Sequence, residues 1–382
     1  MTALKQLRDN FDSNARCSAT QCTRVWRFAA AVGLLALLGC ILAANVAQAF
    51  NIYSDHFLNL SARPLALGGA VTAVPGSHSV FSNPAGLASV RKFTLLYNHS
   101  SRHFPGSQEG GSREWDQLDS DTEALVVPLP LGTYAHGFTF SGEMGYDFSG
   151  HPADGSVGYP REHLWGSESV DALALPVGLP CSAGVALRHS LQRFDPAPED
   201  TQALPWLRDG EGMQWGILAR IWPGLDYGLS NLKLNYDWTV LAPIAATDQR
   251  RWPTLTSKLF EQRSGWALHP VGWLTLAQDT VSEKYIFDKQ TALGITPSPF
   301  LGTIHSGNRT VDRANRGAEL QLGNLLRLSR GSYGGLPTAG WGLNIGGLWL
   351  NSAEVQGLLP EIVGAGSGFD DVRINGFDWS WW

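Results

Sequence analysis

The segment Ser61-Ala-Arg-Pro-Leu-Ala-Leu-Gly-Gly-Ala-Val-Thr-Ala-Val-Pro75, followed by Asn83-Pro-Ala-Gly-Leu-Ala88, decides how the rest of the chain is read. It is rich in small residues and shows no sustained alternation. Asn before Pro favours a turn, because Pro fixes its own φ and pushes its predecessor out of the helical region. Upstream lies an export signal. Downstream, apolar and polar residues alternate as far as an aromatic end, Phe377-Asp-Trp-Ser-Trp-Trp382.

The upstream part reads as a signal peptide over residues 1–49. Lys5, Arg8, Arg16, Arg24 and Arg27 form a basic region, residues 28–44 an apolar one, and Ala47-Gln48-Ala49 a small-x-small cleavage site. Two rivals fit less well. Leu37-Leu38-Gly39-Cys40 half-matches a lipobox, and an uncleaved anchor would be short for a membrane span. Removing 49 of the 382 residues leaves 333. Removing five basic and two acidic residues takes the net charge from −6 to −9, which argues against nucleic acid as a partner. Only Cys181 remains of the four cysteines, so neither an internal disulfide nor a Cys-x-x-Cys zinc site is expected. No cofactor or metal is expected.

Composition points to strands. The chain has 43 Gly, 21 Pro and 15 Trp, with mean hydropathy −0.10. A barrel with an apolar outside and a polar lumen has this balance. In residues 338–346, Ala339, Trp341, Leu343 and Ile345 alternate with Gly340, Gly342 and Asn344. Period two with one apolar face is a half-buried strand. Gly323-Asn324 supplies a tight turn between two further alternating runs. Pro128, Pro176, Pro223 and Pro270 mark short turns at near-constant spacing, with longer polar stretches at 145–168, 195–212 and 242–262 between them. Short turns on one side and long loops on the other suit an outer-membrane barrel. Fourteen strands are expected, at 92–104, 120–128, 131–143, 168–176, 181–193, 213–221, 231–241, 263–269, 271–282, 314–323, 325–333, 338–346, 348–356 and 371–382.

The opening segment resembles the start of long-chain fatty acid transporter (FadL-like) and PorV-like outer-membrane barrels. Ala62-Arg63, Gly68-Gly69-Ala70, Ala73 and Asn83-Pro84-Ala85-Gly86 carry the match. Arg316-Gly-Ala-Glu-Leu, Leu326-Arg-Leu-Ser-Arg-Gly-Ser-Tyr and Ala339-Gly-Trp-Gly-Leu extend it thinly into the closing strands. The resemblance implies an all-β antiparallel transmembrane barrel (92–382) with a hatch in its lumen (50–91). It implies no enzyme, but passive uptake of a hydrophobic small molecule. The alternative is a PorV-like scaffold that binds exported proteins. Gly376, Trp379 and Trp381 resemble the signal read by the barrel assembly machinery, with Ile374 departing from the usual polar residue. Outer-membrane lipid and lipopolysaccharide are the expected surroundings.

Candidate chemistry is sparse. Arg188, Glu319, Arg327 and Arg330 are lumen candidates, either as paired wall charges or as anchors for a carboxylate ligand. His99-Ser100 and His189-Ser190 invite a hydrolase reading, but four His-Ser pairs in one chain point to chance. Asp116, Asp119, Asp121 and Glu123 form an acidic cluster beside the first expected loop, without a calcium-loop signature. Trp165, Trp206, Trp215, Trp252 and Trp266 could line the mouth or join an interfacial girdle.

Overall fold

The computed structural model describes residues 61–105, 115–147, 159–178, 180–195, 206–240, 255–287, 309–355 and 372–381. The expected signal peptide and the first part of the expected hatch, 50–60, lie outside them. Fourteen antiparallel strands close into a barrel: β1 Phe93–Pro105, β2 Trp115–Leu129, β3 Gly132–Asp147, β4 Tyr159–Gly178, β5 Cys181–Asp195, β6 Trp206–Trp222, β7 Leu225–Val240, β8 Leu255–Val271, β9 Leu274–Phe287, β10 Arg309–Leu322, β11 Leu326–Tyr333, β12 Leu336–Ile345, β13 Leu348–Val355 and β14 Val372–Trp381. Each strand bonds its sequence neighbours, and β1 pairs with β14, from Phe93 opposite Trp381 to Ser101 opposite Arg373. Closure leaves no edge, which is what allows a sheet to exist in lipid.

The strand number matches the expectation, and the short turns fall where proline marked them. β1, β5 and β11 to β14 agree with it within about two residues at each end, whereas several of the others run longer toward the long-loop side. The stretches read as loops at 145–168, 195–212 and 242–262 are partly strand: β4 begins at Tyr159, β6 at Trp206 and β8 at Leu255. These extensions mix apolar and polar residues on both faces, as at Leu259 inward and Phe260 outward on β8, so they carry no clean period-two signal. The acidic cluster accordingly lies on β2 rather than beside a loop.

The outer face has a thin apolar band at the short-turn end. On β4 it comprises Leu173, Leu175 and Val177, with Asp171 directly above. On β2 it ends at Glu123, on β10 at Arg316, on β11 at Arg330 and on β14 at Asn375 with Arg373 above, while on β3 exposed Phe138 and Phe140 carry it higher. Five residues of strand reach roughly 13 Å at a tilt of about 40°, against about 25 Å for a usual lipid band. The 20 residues of β4 reach about 50 Å at that tilt, so its upper part stands clear of hydrocarbon.

On β12, Trp341 and Ile345 point outward and Gly342 is buried inside. Trp341→Arg is therefore expected to cost about 2–4 kcal/mol in insertion if the site lies near the midplane, and Trp341→Leu much less. Refolding of both variants into detergent or lipid, followed by urea titration, measures the difference; equal costs would refute the outward assignment.

Candidate functional site

The segment from Ser61 to Val90 fills the short-turn half of the lumen. It forms a five-residue helix, α1 (Ala62–Ala66), a four-residue helix, α2 (Ser79–Ser82), and a 3-10 turn, Pro84–Ser89. Gly68 and Gly69 close α1 in the left-handed region, their N–H groups donating to Leu65 O and Pro64 O. Leu65, Leu67, Val80, Ala85 and Leu87 are fully buried.

So little regular structure leaves many backbone groups to be satisfied from outside. Asp279 of β9 accepts from Val71 N (2.8 Å), Thr72 N (2.8 Å) and the Thr72 hydroxyl (2.7 Å). Asn98 of β1 accepts from Ala62 N (3.0 Å). Gln214 of β6 donates to Ser82 O (2.7 Å), and Arg188 of β5 donates to Phe81 O. Asn83 serves three strands of chain at once. Its amide donates to Thr72 O (2.7 Å) and to Ile217 O in the wall (3.2 Å), while its carbonyl accepts from Ala85 N (3.2 Å). Pro84 begins the 3-10 turn, and Ala85 O accepts from Ser182 of β5 (3.0 Å). Ala85 and Gly86 leave no room for more: a Cβ on Gly86 would strike the Ser79 side chain.

The wall answers with glycine wherever the segment presses closest. A Cβ on Gly216 would collide with the Asn83 carboxamide, on Gly184 with the Pro84–Ala85 backbone, on Gly228 with Thr72 O and on Gly317 with Leu67 O. Sequence reading missed this ring. Its only trace was glycine at inward strand positions, and the hatch positions facing them could not be assigned from sequence.

Of the lumen candidates, Arg188, Glu319 and Arg327 point inward and are buried. Arg188 pairs with Glu168 and also donates to Gln214. Glu319 takes both nitrogens of Arg63 in a fork, Nε at 3.0 Å and Nη2 at 2.8 Å. Arg327 donates to Asn351 (3.2 Å), with its guanidinium 3.7 Å from the Trp349 ring centre. Arg330 is a correction: it is exposed and lies opposite Ala318 and Ala339 on the outer face. Burial works against the Arg63 cation, but Glu319 more than offsets it and raises its pKa. His78 of the same segment is buried and donates through Nε2 to Val74 O (3.1 Å). Burial, and then the neighbouring Arg63 cation, lower its pKa to about 3.

Beyond this plug, toward the long loops, the lumen face of β7–β9 mixes apolar and aromatic side chains with the buried charges Glu261, Arg263 and Glu283. Leu232, Leu234, Tyr236, Trp238, Leu259 and Val281 point inward and are buried. Arg208 of β6 lies over the Tyr236 ring (4.3 Å) and near the Trp238 ring (5.2 Å). At the short-turn end a cavity of about 470 Å³ separates the plug from the wall, lined by Pro75, Ala88, Arg91, Pro176, Cys181 and Leu218 among others. Of the tryptophans read as mouth or girdle residues, Trp165, Trp215 and Trp266 have outward register, which fits the girdle; the Trp206 side chain and Trp252 lie outside what is described. His189 also points outward, 3.0 Å from Asp209, while Ser190 faces the lumen, so the pair forms no catalytic dyad.

At the seam, Gly376 leaves space for Tyr97 O and the Asn98 side chain. Trp379 and Trp381 stack with ring centres 4.6 Å apart, and Trp381 meets Phe93 at 4.7 Å. Ile374 faces inward, fully buried.

No described sequence family and no curated protein matches the chain in sequence. Solved structures do match in shape. The toluene transporter TbuX of Ralstonia pickettii aligns with a TM-score of 0.58 at 11% identity, over 85% of this chain and 98% of that one. The fold is FadL-like. The P. putida toluene transporter TodX aligns with a TM-score of 0.58 at 12% identity, over 84% and 98% of the two chains. The monoaromatic hydrocarbon channel CymD gives 0.50 at 13%, over 87% and 99%. At such identities the likeness is one of FadL-like architecture.

Two outcomes follow from the plug's seating. Arg63→Ala leaves Glu319 buried without its partner, a change of about 3–5 kcal/mol for a buried pair, and Gly216→Val displaces Asn83. Both variants should raise ion conductance in planar bilayers and expose the segment to protease while the barrel stays heat-modifiable; an unchanged conductance would refute the seating. Because His78 has a depressed pKa when seated, the plug loses stability as pH falls from about 6.5 toward 3, by at most about 1.4 kcal/mol per unit. Conductance should rise over that range, and His78→Gln should flatten the rise.

Proposed function

We propose that this chain is an outer-membrane channel for passive uptake of small hydrophobic molecules, aromatic hydrocarbons among them. The observation that carries the reading is a closed barrel whose lumen is plugged at one end and presents an apolar and aromatic stripe on β7, with Leu259 beside it, beyond the plug, next to paired charges such as Glu261 and Arg263. A ligand leaving water gains about 25 cal/mol for each Å² of apolar surface buried, so Leu232, Leu234, Tyr236, Trp238 and Leu259 offer it a place to partition. Shifting the plug would join that surface to the cavity beside Pro75, Cys181 and Leu218.

No bond is made or broken in this reading, so it is not an enzyme, and residues 1–49 serve as its export signal. Insertion falls to the barrel assembly machinery acting on the strand that holds Gly376, Trp379 and Trp381. The TbuX, TodX and CymD structures bear names of hydrocarbon transporters and channels, and this favours a channel over a PorV-like scaffold for exported proteins.

A Gram-negative host lacking channels of this type, expressing the protein, should take up radiolabelled toluene faster than the empty host. Leu234→Asp and Leu259→Asp place charge in the apolar lining and should slow uptake at equal barrel abundance. Uptake equal to the empty host, with a folded barrel in the outer membrane, would sink the proposal.

A further inference from the structure

The outer face is not electrically uniform. On β2, β4 and β6 the outward residues above the apolar band are Glu123, Asp171 and Glu211, joined by Asp121 and Asp209. On β10, β11 and β14 they are Arg316, Arg330 and Arg373. One line of register across this second arc runs Arg330, Ala339, Glu354, Arg373. Three strand steps separate its ends, about 14 Å at the usual spacing. Glu354 lies 4.0 Å from Arg373 and leaves Arg330 exposed. Asp312 stands higher on β10, and Arg316 lies one outward position above Ala318.

Directly beneath the arginines the outward line reads Leu328, Trp341, Ser352 and Asn375, and the wall turns wholly apolar one line lower, at Leu343, Leu350 and Phe377, with Trp379 exposed below them. The wall is low between β11 and β12: β11 has 8 residues, and a two-residue turn at Gly334 and Gly335 joins it to β12. The upper edge at this turn meets the lipid headgroups directly.

We propose that this arc binds a phosphorylated lipid of the outer leaflet, its acyl chains against Leu328, Trp341 and Trp379 and its phosphates on Arg316, Arg330 and Arg373. Guanidinium takes phosphate through paired charge-assisted hydrogen bonds. A span of about 14 Å suits a disaccharide head with a phosphate at each end. The acidic arc begins on β2, two strands from β14, and repels the same head, so the lipid is confined to the arginine side. This assignment rests on the outer-membrane placement proposed above but not on the channel reading.

The test uses the full mature protein in uncharged detergent, with purified lipopolysaccharide, its dephosphorylated form, and inorganic phosphate as separate probes. Bound lipid is read by native mass spectrometry and barrel stability by the temperature of heat-modified migration. Lipopolysaccharide should stay bound and raise that temperature. The Arg316→Gln, Arg330→Gln, Arg373→Gln triple variant should bind it at least about tenfold more weakly, and Glu354→Gln should bind it no less tightly than the parent. Asp171→Asn should change nothing. Should the triple variant fail to fold, Arg330→Gln against Arg330→Lys reads the same contact, with lysine keeping part of the affinity. Equal binding by the variant, equal binding of the dephosphorylated lipid, or the same stabilisation by inorganic phosphate would overturn the proposal. Toluene uptake is measured apart from all of these, so failure of the channel reading is distinguishable from failure of this one.

Discussion

A short irregular peptide can occupy a membrane barrel only if its backbone groups are bonded there, and this constraint organises the molecule. Irregular backbone at membrane depth persists where protein encloses it. Asp279 answers two N–H groups and a hydroxyl, Asn98 a third N–H, and Asn83 ties the plug to the wall. Asp279 and Asn98 have their polar atoms aimed inward because a strand sends alternate residues to opposite faces. The wall thus supplies the donors and acceptors that a longer helix would have supplied for itself.

The same inward row must also make room. Glycine at 184, 216, 228 and 317 lets plug backbone approach wall backbone more closely than any side chain would permit. Glycine in a strand interior weakens it, by loss of packing and by entropy. A closed barrel can bear that, since each affected strand is still bonded on both sides. Charge is treated similarly. Arg63 and Glu319 form a forked pair between plug and wall, and Arg188 joins Glu168 to the Phe81 carbonyl. Buried pairs contribute little net stability but cost heavily when one partner leaves. They therefore fix the position of the plug more than they strengthen the barrel.

Much of the barrel was legible in the sequence, and the reason is physical. Where one face meets lipid and the other a polar lumen, alternation is enforced, as at Ala339, Trp341, Leu343 and Ile345. The strand count, the short turns and the inward placement of Arg188, Glu319 and Arg327 follow from period two and its phase. Arg330 keeps that phase too, on the outward side with Leu326 and Leu328; its charge suggested the lumen, but above the thin apolar band the outer face also tolerates charge. Loss of alternation there also hid the upper reaches of β4, β6 and β8. The role of Asn83 could be read only as a turn. Its bond to Ile217 O joins positions 134 apart in sequence, and no local pattern encodes that meeting.

The narrow apolar band has a consequence for the whole. Each ångström of mismatch between a protein's apolar belt and the bilayer costs a fraction of a kcal/mol, met by thinning the bilayer or by reaching charged side chains out to the headgroups. Here the band ends in acids on β2 and β4 and in arginines on β10 and β11, with Arg373 one outward position above Asn375 on β14. Arginine carries a long apolar stem and can snorkel, whereas aspartate and glutamate are short. Lipid can therefore rise higher along the arginine side than along the acidic side. The acidic side compensates with hydrogen bonds of its own: Tyr97 and His99 meet Asp121, and Tyr134 and His136 meet Asp171. Two repeats of the same Tyr-x-His with a cross-strand Asp satisfy carboxylates that stand at the edge of hydrocarbon. The barrel therefore meets an uneven bilayer edge, with its wall lowest where the cations lie.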